Sequence, residues 1–80
     1  MNKNEFFLEL KSVLEAEDVE LKENTVLRDL EQYDSLAILG IIAFIDEKFN
    51  KRLSAENFGK VTSVQSLMTL IGEERFEENG

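Results

Sequence analysis

Residues 34–49 read DSLAILGIIAFIDEKF, the most apolar run in the chain, and the other segments are arranged around it. Asp34 is suited to cap a helix through its carboxylate, which leaves Ser35 in the first turn. On a helical wheel Ile38, Leu39, Ile42, Ile45 and Phe49 make one stripe suited to a core, with Ile41 at its margin. The opposite side carries Leu36, Gly40, Ala43, Phe44 and Glu47. A surface helix ordinarily puts Lys and Glu there, and a mid-helix glycine costs about 1 kcal/mol relative to alanine. Such a side is either buried or docks a partner. The expected docking patch is Leu36, Gly40, Ala43 and Phe44, with charge confined to Asp46 and Glu47. Asn50-Lys51-Arg52 then ends the helix, its cations near the negative end of the dipole. A calcium loop here is excluded by Lys48, which stands where an oxygen ligand is needed.

Upstream, Phe6, Phe7, Leu10, Val13 and Leu14 recur at helical spacing, with Glu5, Glu9, Lys11 and Glu15 on the other side. Asn2 and Glu5 fit a capping box, with Asn4 as an alternative cap. Periodicity is lost from Glu17 to Asp34. A structureless connection of that length is unusual, so Leu21, Leu27 and Leu30 are expected to pin it around a short helical turn near Val26 to Asp29. Downstream, Ser54 caps a short helix through Ala55 to Lys60, interrupted or ended at Gly59. Thr62 and Gln65 fit a second capping box, followed by Val64, Leu67, Met68 and Ile71 at helical spacing. The acidic residues Glu73, Glu74, Glu77 and Glu78 oppose the helix dipole, so the tail from about 73 to 80 is expected to fray. The reading is all-α, a small bundle of three longer helices and one short helix in a single domain over 1–80.

Composition narrows the chemistry. Eighty residues hold one core, and the lack of proline favours uninterrupted helices. With no Cys and no His, the chain can assemble neither a thiolate nor a Ser-His-Asp unit, and no metal site is expected. Any reaction at Ser35 must therefore be performed by another protein. A net charge of -8 argues against nucleic acid and is better matched to basic patches on protein partners. The apolar run Leu36 to Ile45 is far shorter than the ~20 residues that span a bilayer. No membrane insertion is expected, and cytoplasmic residence is the natural inference.

Asp34-Ser35-Leu36, Leu30 upstream, Asp46-Glu47-Lys48-Phe49 ending the second helix, and Thr62-Ser63-Val64-Gln65 opening the last together resemble the acyl carrier protein family. The resemblance runs from Phe6 to Ile71 and implies a small phosphopantetheine-binding helical bundle. It implies that Ser35, flanked by Asp34 and Leu36, is joined through a phosphodiester to 4′-phosphopantetheine. The terminal thiol then holds an acyl or aminoacyl thioester. It further implies a non-catalytic, monomeric carrier served by a phosphopantetheinyl transferase, which uses coenzyme A and its own magnesium. The loading and acyl-transfer enzymes would offer basic and apolar docking patches.

Departures from the family pattern shape the expectation. Gln32-Tyr33 replaces the small residues that often precede Asp-Ser. Ala37 and Gly40 stand where carriers of fatty acid synthesis often have acids, which points to a specialised pathway. At the positions matching the family's cargo pocket stand Ile45, Phe58, Leu67 and Ile71. Their bulk favours short, branched or polar thioesters over sheltered fatty chains. An aminoacyl or peptidyl carrier shares the same motif, and an unmodified helical adaptor is the remaining alternative.

Overall fold

The computed structural model describes residues 1–77, and the fold is all-α. Helix α1 spans Lys3–Leu14, α2 spans Ser35–Phe49 and α3 spans Val64–Ile71, with a shorter 3-10 helix at Ala55–Lys60. Among the described residues, single 3-10 turns at Leu27–Asp29 and Glu73–Arg75 complete the helical structure. Three longer helices and one short one is the expected architecture.

Local chemistry sets the boundaries. Asn2 accepts from the Glu5 amide at 2.8 Å and Glu5 accepts back from the Asn2 amide at 3.5 Å, so Asn2 rather than Asn4 opens α1. Glu15 (φ 56°) and Asn50 (φ 53°) close α1 and α2 in the left-handed region, where asparagine is at home and glutamate is not. The cap of α3 corrects the expectation from sequence. Ser63, not Thr62, is the cap, with Ser66 in the place expected for Gln65. The reason lies outside the helix. The Thr62 carbonyl accepts from the Leu27 amide at 2.8 Å and the Thr25 carbonyl accepts from Val64 at 2.9 Å. This short antiparallel pairing of Val26 with Ser63 holds Thr62 extended and delays the helix by one residue.

The same pairing organises the long connection between α1 and α2. Its backbone is stitched to the start of α3, including a bond from the Gln65 amide to the Glu23 carbonyl at 2.8 Å. Leu21 and Leu27 are buried beneath it and Leu30 is half-buried. Arg28 straps its far side by donating through Nε to the Val61 carbonyl at 2.8 Å and through Nη2 to the Gly59 carbonyl at 2.6 Å.

Helices α1 and α2 run antiparallel, with Phe6 against Phe44 at one end and Val13 against Gly40 at the other. The Phe6 and Phe44 rings stack at 5.9 Å. A Cβ at position 40 would come within 3.2 Å of Val13 Cγ1, so the glycine permits the close approach of the two helices. This rotates α2 relative to the sequence reading. Ile41, placed at the margin, is fully buried, and Leu39, placed in the core stripe, is 58% exposed.

The tail is a third correction. Residues 73–77 do not fray as an extension of α3. Gly72, at φ 122°, turns the chain, and Phe76 inserts between Phe6 at 4.9 Å and Phe49 at 5.3 Å. The Glu77 amide donates to the Met1 carbonyl at 3.1 Å, and the Lys3 amide donates to the Glu77 carbonyl at 3.3 Å. Helix ends are tied crosswise nearby. Arg75 donates to the Phe49 carbonyl at the end of α2, and Lys51 Nζ donates to the Leu70 and Ile71 carbonyls at the end of α3 at 2.9 and 3.2 Å. Dipole repulsion argued for fraying, but aromatic burial and these charge-assisted bonds outweigh it. The remainder of the expected frayed tail, 78–80, lies outside the described residues.

Candidate functional site

Ser35 is the first residue of α2 and is exposed. Asp34 makes this possible by taking over the capping. Its Oδ1 accepts from the Ala37 amide at 2.8 Å and its carbonyl accepts from Ile38 at 2.9 Å. The Ser35 hydroxyl therefore has no capping bond to make, and among the described residues it has no hydrogen-bond partner. A turn closed by the Tyr33 amide on the Leu30 carbonyl at 3.1 Å delivers the chain to this cap. No His or Cys exists in the chain to activate the hydroxyl, and the described residues contain no metal-ligating cluster.

The surface around Ser35 is apolar along one line. Leu36 is 78% exposed, and Leu39 and Ala43 follow it on the outward side of α2 with Glu47 beyond. This corrects the expected docking patch in two places. Phe44 is only 8% exposed and belongs to the core, where it meets Phe6 and Phe49. Gly40 faces α1. Asp46 is half-buried and Glu47 exposed. Leu39 is the outward residue that the sequence reading missed. Because α2 is apolar nearly all round, periodicity carried little information on its orientation; the glycine, read as a helix-crossing point, was the usable signal.

The four residues expected around a cargo pocket, Ile45, Phe58, Leu67 and Ile71, are brought together, and all are buried in the packed core. None of them lines the surface groove at Val61, Ser66 and Leu70 or the one at Val13, Leu14 and Ala37.

Tyr33, two residues before Ser35, packs with its hydroxyl buried and unpartnered among the described residues. Burial pushes its pKa above the ordinary 10.0, and the Arg28 cation pulls partly back. Because leaving a buried hydroxyl unpaired costs about 1–3 kcal/mol, Tyr33→Phe is expected to stabilise the fold by about 1 kcal/mol in urea unfolding at neutral pH. The wild type should also carry an alkaline signature. The unfolded tyrosine loses its proton first, so this group's contribution is intact below pH 10.0 and is lost as pH rises through the folded pKa. A phenylalanine variant lacks that component, which paired pH titrations of stability would reveal.

No protein-family model, curated protein or solved structure significantly matches the chain. The described residues contain no helix long and apolar enough to cross a membrane.

Proposed function

We propose that this protein is a cytoplasmic carrier whose Ser35 hydroxyl receives 4′-phosphopantetheine from coenzyme A through a phosphopantetheinyl transferase. The observation that carries the reading is the division of labour at the start of α2: Asp34 caps the helix, while Ser35 stands exposed with an uncommitted hydroxyl. Ser35 Oγ would form the phosphodiester, releasing the nucleotide half of the coenzyme. The helix N-terminus favours the new anion, and an exposed serine gives a transferase access. When bound, the group supplies a thiol that holds an acyl or aminoacyl thioester. The chain itself supplies attachment and recognition, which suits a protein without His or Cys. The packed surroundings of Ile45, Phe58, Leu67 and Ile71 favour small or polar cargo for a specialised pathway.

Incubation with a transferase and coenzyme A should raise the mass by one phosphopantetheine, mapped to the peptide containing Ser35. No mass increase would favour an unmodified helical adaptor. Partner enzymes are read as docking on Leu36 and Leu39, guided by Glu47. Leu36→Ala should leave stability within about 0.5 kcal/mol of wild type, as expected at an exposed site. If the partner buries this side chain, the same variant should weaken a cognate enzyme by about 1.5–3 kcal/mol in direct binding measurements. Unchanged affinity would remove Leu36 from the docking surface.

A further inference from the structure

A groove of about 270 Å³ opens beside Ser35, where the end of α1 meets the start of α2. Val13, Leu14 and Ala37 supply apolar lining, and Glu15, Gln32 and Asp34 supply polar groups. Leu36 also lines it, so both sequence neighbours of Ser35 face the same depression. The Gln32 amide and the Glu15 carboxylate are committed to no hydrogen bond or ion pair among the described residues.

We propose that this groove against α1 is the resting site of the pantetheine arm carried by Ser35. The inference builds on attachment at Ser35 and adds the residues that would hold the arm. Two features point to this side, and the tether lets them suffice. The arm is amphipathic, with its branched dimethyl carbon near the phosphate end, close to where Val13, Leu14 and Ala37 offer apolar contact. Beyond that carbon lie two amides, for which Gln32 offers both a donor and an acceptor, while Glu15 and Asp34 accept N–H groups. The covalent tether keeps the arm at high effective concentration, so weak contacts suffice to populate the groove.

The opposite side is less suited. The groove between the Ala55–Lys60 helix and α3, about 340 Å³, is lined by Val61, Ser66 and Leu70 among others and receives no residue from α2. Entry to the core is closed by Phe58 and Leu67, 3% and 0% exposed.

The test is made on the full chain loaded by a transferase from isotopically labelled coenzyme A. Mass spectrometry first establishes the loading, and nuclear Overhauser contacts then locate the arm. The expected result is contacts from the arm's dimethyl protons to the Val13 and Leu14 methyl groups. These should be lost in Ala37→Leu, whose added bulk fills the groove. Contacts to Val61 or Leu70 in the wild type, or an arm with no protein contacts, would overturn the proposal while leaving attachment intact. Absence of the mass increase would overturn both. Because the decisive contacts are sought in the unsubstituted protein, poor folding of the leucine variant would not obscure the outcome.

Discussion

Phe76→Ala is expected to destabilise the protein by about 3–5 kcal/mol, the range for deleting a buried phenylalanine. For so small a domain this is a large part of the total stability. Phe76 is 9% exposed and its ring meets both Phe6 and Phe49, so its removal opens a cavity where α1, α2 and the tail converge. Edge-to-face geometry with Phe6, at 68°, adds to the burial. The loss also reaches the backbone, because Phe76 anchors the segment whose neighbour Glu77 pairs with Asn2. Thermal and urea unfolding measure the effect directly. A cost below about 1 kcal/mol, as at ordinary surface positions, would mean that the tail is not part of the core.

Ser35→Ala should abolish phosphopantetheine uptake completely while leaving stability within about 0.5 kcal/mol of wild type. Alanine is the best helix former, and the capping bond belongs to Asp34, so the substitution takes nothing from the fold. Asp34→Ala offers the contrast, since losing a cap costs typically about 1 kcal/mol. Mass spectrometry after exposure to a transferase and coenzyme A reads the first effect and unfolding curves read the second. Uptake of the arm by the variant, at Ser12, Ser54, Ser63 or Ser66, would refute the assignment. Three of these are already engaged: the Ser66 hydroxyl donates to the Ser63 carbonyl at 2.7 Å, the Ser63 hydroxyl accepts from the Ser66 amide at 3.2 Å, and the Ser54 hydroxyl donates to Asn57 Oδ1 at 3.1 Å.

Much of the framework follows from local rules. The helical spacing of Phe6, Leu10 and Leu14, and of Val64, Leu67, Met68 and Ile71, matches the side chains that are buried. Asp34 before α2 is a cap whose partner lies within a few residues, so sequence alone identifies it, whereas for α1 the sequence offered both Asn2 and Asn4 and the hydrogen bonds to Glu5 select Asn2. The pinning role of Leu21 and Leu27 is legible for the same reason that the segment is not helical: apolar residues without a period must be buried individually.

What required the tertiary structure is whatever depends on a partner distant in sequence. An apolar helix such as α2 has no polar face to declare its orientation, so the packing of Gly40 on Val13 and of Phe44 on Phe6 decides which residues face outward. The same orientation exposes Leu39 and brings Val13, Leu14 and Gln32 together beside Ser35. Likewise the α3 cap moves to Ser63 because Thr62 is held by Leu27, and the tail stays down because Phe76 meets Phe6 and Phe49. Sequence by itself determined the number of helices, most of their ends and an available serine at the head of the second. Tertiary structure decided the orientation of that helix and the docking of the tail, because side-chain packing between distant segments overrides local dipole and capping preferences of about 1 kcal/mol or less.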